Sequence, residues 1–244
     1  MMKERVVVVI PARYASSRFP GKMLADLCGK PLIEHTYRKA AASCADEVLV
    51  ATDHELIFNA VKAFGGNVVM TRADHPSGTD RIYEAVARLD ADIIINVQGD
   101  EPLIPSSVID ELIECVRADA GCEMATVAVP GDRKKLANPN NVKVVIANDG
   151  RALYFSRALI PYLREGGEDM PVYLHWGLYA YRRAALERFV KLPTGKLENC
   201  EKLEQLRALE NGISIRVITS NLESVGVDTP EDLEEARRRL EAKL

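Results

Sequence analysis

Arg5-Val-Val-Val-Val-Ile10 runs straight into Pro11-Ala-Arg-Tyr-Ala-Ser-Ser-Arg-Phe-Pro-Gly-Lys22, and this junction decides the fold. A β-branched run without alternating polar positions describes a strand covered on both faces, the centre of a parallel sheet. The following segment, 31–43, has helical spacing through Leu32, Ile33, Tyr37 and Ala40. The same pairing repeats downstream. Strand-like runs at 47–52, 67–70 and 92–97 alternate with helical patterns at 54–64, 79–89 and 106–117. That rhythm predicts a doubly wound, mostly parallel α/β sheet, with ligands beyond the carboxyl ends of its strands.

The rhythm changes near residue 124. A strand at 124–129 precedes two strand-like runs, 141–147 and 152–157, around Asn148-Asp-Gly-Arg151, a strong hairpin signal. The aromatic run 172–181 adds a further strand, helices are expected at 183–191 and 199–211, and a strand at 213–219. Thr229-Pro-Glu-Asp232 supplies an N-cap, a proline at the first helical position and an acidic first turn for a last helix. The expectation is a single domain over 1–244, with an antiparallel insertion at about 130–182.

Composition narrows the function classes. The chain is 47% hydrophobic and 28% charged, enough to bury a sizeable core, and its net charge is −4. An acidic balance argues against life on nucleic-acid phosphates, while leaving room for a small anionic substrate in a locally basic site. The five cysteines (Cys28, Cys44, Cys115, Cys122 and Cys200) are scattered, which reads as reduced thiols rather than a zinc site or disulfide framework. Val6–Ile10 is too short an apolar run for a signal peptide or membrane span, so a cytoplasmic protein is expected.

Three clusters could carry chemistry. Arg13, Arg18 and Lys22, with two serines and a glycine, share one loop at the end of the first strand. Forked guanidinium donors, a lysine and accessible backbone N–H groups are what a polyphosphate requires. The loop is neither a Walker P-loop nor a dinucleotide turn. Asp100 follows Gly99 in Asn96-Val-Gln-Gly-Asp-Glu-Pro102, again at the end of a buried strand, and suits a hard cation such as magnesium; a turn aspartate is the competing reading. Asp228 lies beside the Thr229 cap, which explains its surroundings without function. Ser77, in Ser77-Gly-Thr-Asp-Arg81, reads equally as a helix cap or as a nucleotide-loop residue. Taken alone, His175 fits a packed aromatic strand and Glu204 a solvated helix face.

In their order along the chain, these blocks resemble the CMP-KDO synthetases, the 3-deoxy-manno-octulosonate (KDO) cytidylyltransferases. The matching segments are IPARYASSRFPGK at 10–22, KPLIEH at 30–35, ATDHE at 51–55, SGTDR at 77–81 and NVQGDEP at 96–102. NPNNVKVV at 138–145, ALYFSR at 152–157, HWGLYAYR at 175–182, KLEQLRALENG at 202–212 and GVDTPEDLE at 226–234 complete the set. The resemblance implies a glycosyltransferase-A-like nucleotidyltransferase fold, a homodimer, and synthesis of CMP-KDO from CTP for lipopolysaccharide; the apolar surface of the 141–157 hairpin and 172–181 strand marks the insertion as the expected dimer contact. It further implies that Arg13, Arg18 and Lys22 hold the CTP phosphates, with Ser77 and Gln98 near the nucleotide. Asp100 and Asp228 match magnesium ligands, and Lys22 joins them as a catalytic group. Arg157, His175, Tyr179, Glu204 and Gln205 match sugar-binding positions. Trp176 stands where a leucine often follows that histidine. Pro171-Val-Tyr173 and Leu197-Glu-Asn-Cys-Glu-Lys-Leu203 also resemble the subgroup acting on the 8-amino analogue of KDO, whereas Gln98–Pro102 and Gly226–Asp228 look like the KDO form.

Overall fold

A computed structural model describes residues 3–16, 18–131, 136–165, 170–222 and 224–242. Ser17 of the cationic loop, and residues 132–135 and 166–169 of the expected insertion, lie outside the described residues. The chain divides into two compact units, Met1–Ile113 with Glu223–Leu244, and Glu114–Leu222.

In the first unit, β1 (Val6–Ala12) is buried at all seven positions, as its unbroken apolar run requires. It pairs in parallel with β4 (Glu47–Thr52) on one side and β6 (Ile93–Asn96) on the other, with Val8 opposite Val48 and Ile95. β5 (Val68–Met70) extends the parallel sheet beyond β4, and β2 (Asp26–Leu27) and β3 (Lys30–Pro31) form a separate small hairpin. The connecting helices are α1 (Leu32–Ala41), α2 (Glu55–Ala63) and α3 (Gly78–Val86), and α4 (Ser106–Ala118) follows β6. The carboxyl ends of β1, β4 and β6 therefore point one way, where open α/β sheets place ligands.

The second unit is mostly antiparallel. β7 (Met124–Pro130) runs parallel to β11 (Ile215–Thr219) and antiparallel to β10 (Tyr173–Arg182). β8 (Lys143–Ile146) pairs with β10 and with β9 (Ala152–Ser156). The Asn148–Arg151 hairpin forms as its sequence predicts, with Gly150 at φ 82°, a conformation that side chains with a Cβ rarely adopt.

The helix expected over 199–211 is broken. After α5 (Arg183–Val190), α6 (Lys196–Glu201) ends at Lys202, whose φ of 53° is left-handed, and α7 (Gln205–Glu210) starts afresh. The carbonyl of Glu201, which a continuous helix would give to the N–H of Gln205, instead accepts from Arg157 Nε at 2.8 Å. A long-range guanidinium ends the helix where local periodicity would continue it. The last element, α8 (Pro230–Glu241), opens on Thr229, whose hydroxyl accepts from Asp232 N.

Candidate active site

The first cluster is assembled at the ends of β1 and β6. Gly21 N donates to Tyr14 O at 3.1 Å, folding the cationic loop back so that Lys22 enters a short 3-10 turn with its stem buried. Gly99 lets the chain after β6 pass close to the end of β1. A Cβ there would meet Met23 Sδ at 3.0 Å, Pro11 O at 3.1 Å and Ile33 Cδ1 at 3.2 Å. Thr36 Oγ1 fixes the turn by donating to Gly99 O at 2.9 Å. Val227 N then donates to Asp100 O at 2.8 Å, which draws the segment before α8 alongside and sets Asp228 beside Asp100.

The three side chains converge. Lys22 Nζ donates to Asp100 Oδ2 at 2.6 Å, to Asp228 Oδ1 at 2.9 Å and to the Val227 carbonyl at 2.9 Å. Arg18 pairs with the other oxygen of Asp228, also at 2.9 Å. Burial works against the Lys22 charge, but the two carboxylates outweigh it and hold its pKa above the usual lysine range. The carboxylates remain reachable, with Asp100 and Asp228 side chains 26% and 47% exposed.

Arg13, Ser77 and Gln98 make other contacts. Arg13 Nη2 donates to the His75 carbonyl at 2.9 Å, tying the loop after β1 to the loop before α3. Ser77 caps α3, its Oγ accepting from Asp80 N at 3.2 Å. Its hydroxyl donates to Asp80 Oδ2 at 2.7 Å. Gln98 Nε2 donates to Asn96 Oδ1 at 3.1 Å. Sequence reading passed over the support beneath this loop. Arg81 is fully buried and donates to Asp53 Oδ2 at 2.7 Å and Thr71 Oγ1 at 2.5 Å, fastening α3 to the ends of β4 and β5. Tyr14 stacks on His54, ring centroids 4.0 Å apart.

The second unit gathers the other residues. Four residues of regular strand would hold His175 and Tyr179 about 13 Å apart. A bulge between Trp176 and Tyr179 shortens that span, so that His175 faces Ala128 and Tyr179 faces Thr126, two apart on β7. Their rings lie 5.4 Å apart, and Phe155 meets His175 edge-on at 4.9 Å. Burial lowers the His175 pKa to about 3, so its ring is neutral at physiological pH. Thr126 gives its hydroxyl proton to Leu178 O at 2.6 Å, so its 3.0 Å contact to His175 Nε2 makes that nitrogen the donor. The other ring nitrogen, Nδ1, is thereby an acceptor, suited to a sugar hydroxyl. Thr126 was invisible to sequence reading, as a polar residue inside a strand otherwise apolar.

Burial above all, with the Tyr181 phenol and the Glu204 carboxylate nearby, keeps Tyr179 protonated well beyond the usual tyrosine range. Gln205 opens α7 and is buried, and Glu204 immediately precedes it. Behind them Arg207 forms a bidentate pair with Glu198 at 2.8 and 2.6 Å and lies 5.0 Å over the Phe189 ring. Arg157 Nη1 donates to Pro139 O at 3.0 Å and Nη2 to Lys202 O at 3.5 Å.

Residues 7–215 match the family model of the cytidylyltransferases. The chain is 54% identical over 236 residues to a 3-deoxy-manno-octulosonate cytidylyltransferase of Syntrophobacter fumaroxidans, covering 94% of each. This chain belongs to the 3-deoxy-manno-octulosonate cytidylyltransferase family. It is thus a nucleotidyltransferase. An 8-amino-3,8-dideoxy-manno-octulosonate cytidylyltransferase of Shewanella halifaxensis is 52% identical over 241 residues, 96% of this chain and 98% of that one. A solved structure of CMP:2-keto-3-deoxy-manno-octonic acid synthetase complexed with CTP superposes with a TM-score of 0.95 at 44% identity, over 99% of this chain and all of the other. That solved structure shares the observed α/β architecture.

Proposed function

We propose that this chain transfers CMP from CTP to 3-deoxy-manno-octulosonate, giving CMP-KDO and diphosphate for lipopolysaccharide synthesis. The observation that carries this reading is the convergence of Lys22, Asp100 and Asp228, cation and carboxylates together at the end of a parallel sheet. The anomeric hydroxyl of KDO attacks the α-phosphorus and diphosphate leaves, with no covalent enzyme intermediate. Arg13, Arg18 and Lys22 offset the charge of the triphosphate and of the leaving group, with Ser77 and Gln98 near the nucleotide. Arg157, His175, Tyr179, Glu204 and Gln205 receive the sugar acid.

Magnesium fits the donor set. Asp100 and Asp228 present hard, part-exposed carboxylate oxygens toward one point, which their bond lengths to a single ammonium define. Among the described residues no group of three or more His, Cys, Asp or Glu is placed to hold a metal. Two carboxylates with phosphate oxygens and water make up the usual magnesium shell, so the substrate completes it. A bound ion supplies Lewis-acid stabilisation of the phosphoryl oxygens and lowers the pKa of the attacking hydroxyl.

A homodimer and a cytoplasmic location complete the reading. Leu153, Leu159 and Tyr162, the last 86% exposed, give the insertion more outward apolar surface than a solvated loop needs, suiting an isologous contact. No helix among the described residues is long and apolar enough to cross a membrane. Diphosphate release from CTP with KDO, its 8-amino analogue and a sialic acid, with and without magnesium, tests the assignment. Release with KDO that requires a divalent cation supports it. Preference for the 8-amino analogue moves the chain to that subgroup.

A further inference from the structure

The carboxylate of Glu201, at the end of α6, is taken up by two groups at the end of β9. Oε1 accepts from Ser156 Oγ at 2.5 Å and Oε2 from the backbone N–H of Arg157 at 2.9 Å, both at the end of β9. The backbone of the same residue receives the Arg157 side chain, Nε to Glu201 O at 2.8 Å. Main chain and guanidinium of Arg157 are thus held by one residue. Ser156 Oγ in turn accepts from Ala158 N at 2.9 Å, which turns the chain after β9.

A buried lysine closes the knot from the opposite side. Lys143, fully buried on β8, donates to the Arg157 carbonyl and, at 2.8 Å, to the Asn141 carbonyl. Pro139, in the segment so held, accepts from Arg157 Nη1. These bonds use three of the five guanidinium N–H groups of Arg157, leaving two for a ligand. The same bonds take the Glu201 and Lys202 carbonyls out of the helix and so break the chain just before Glu204 and Gln205.

We infer that Glu201 is a positioning residue for the sugar acid: through its double grip on Ser156 and Arg157 it holds Arg157 and the Glu204–Gln205 turn in fixed relation. The inference rests on the reading that Arg157, Glu204 and Gln205 receive the sugar. The effect falls on one substrate alone, because every partner of Glu201 lies in the second unit while Lys22, Asp100 and Asp228 lie in the first.

Steady-state kinetics on the full chain test this with Glu201→Gln, Ser156→Ala and Arg157→Ala. In Glu201→Gln the amide oxygen can still face the N–H of Arg157 while its NH2 faces Ser156 Oγ, so the contacts keep their geometry but lose the charge that strengthens them. The KM for KDO should rise about tenfold, with the KM for CTP and kcat within about threefold of wild type. Ser156→Ala, which keeps the carboxylate and its bond to Arg157 N, should raise the KDO KM only about two- to threefold. Arg157→Ala tests the underlying reading and should raise the KDO KM at least as much as Glu201→Gln. If Arg157→Ala raises it while Glu201→Gln leaves it unchanged, the positioning role is overturned and the sugar site stands. If Arg157→Ala leaves it unchanged, the sugar-site reading falls and the inference with it. A lower melting temperature for Glu201→Gln with both KM values unchanged gives Glu201 a purely structural role and overturns the inference.

Discussion

Lys22 and Asp228, 206 positions apart in the chain, meet at 2.9 Å, and Asp100 completes the contact from the other side of the ammonium at 2.6 Å. The cation between them offsets the repulsion of two like charges. The placement depends on backbone rather than on the charges themselves, through the Val227–Asp100 bond and the close passage of Gly99.

Gly99 is therefore a point where packing and catalysis fail together. The Cβ of Gly99→Ala would press on Pro11 O and Ile33 Cδ1, neither of which belongs to a long flexible side chain. We expect a loss of about 1–3 kcal/mol on denaturant unfolding, accompanied by reduced turnover as Asp100 shifts. Unchanged stability with wild-type turnover would show that the turn has more room than these distances allow.

Removal of Asp53 should loosen the start of α3 from beneath. Arg81 has no exposure, and burial draws its pKa below the ordinary guanidinium range while Asp53 draws it back. Asp53→Ala leaves that charge buried without its paired carboxylate, at a cost of about 3–5 kcal/mol. The double variant Asp53→Leu/Arg81→Met should lose less than the single one, as urea midpoints would reveal. A single-variant loss below about 1 kcal/mol would contradict a buried ion pair.

His175 makes stability fall with acid. In the fold its ring stays neutral down to about pH 3. The unfolded chain takes up that proton near pH 6.5, so the contribution is complete above about 6.5 and is lost as pH falls toward 3. Between pH 6.5 and 5 the loss should be about 1–2 kcal/mol, allowing for the ring's partial exposure. His175→Gln should lack this component when unfolding is compared at the two pH values. An identical pH response in both proteins would mean the ring is charged or solvated in the fold.

Much of the fold was legible because it depends on local pattern. Val6–Ile10 could only be a covered strand, Asn148–Arg151 only a tight turn, and Thr229–Asp232 only a helix start. The cationic loop and Asp100 could be picked out because strand ends are where parallel sheets hold ligands. Asp228 could not be told from its capping surroundings, since what sets it beside Asp100 is the backbone bond from its neighbour Val227 to residue 100. For Ser77 the structure displays the cap that local sequence offered as one of two readings. The bulge in β10, the helix break at Lys202 and the Glu201–Arg157 grip were not legible. Each is imposed by residues tens of positions away, which no periodicity or turn signal encodes.

The most direct measurement is a magnesium titration of diphosphate release from CTP and KDO, comparing wild type with Asp100→Asn beside a melting curve for each. Asparagine keeps the size of the side chain and can still accept from Lys22, so the fold should survive. Loss of the charge that recruits the cation should slow turnover by roughly a hundredfold or more and move the magnesium dependence to higher concentration. CTP affinity, which the proposal assigns to Arg13, Arg18 and Lys22, should fall far less. Near wild-type turnover with an unchanged magnesium dependence would contradict the role given to Asp100 and, with it, the proposed active site.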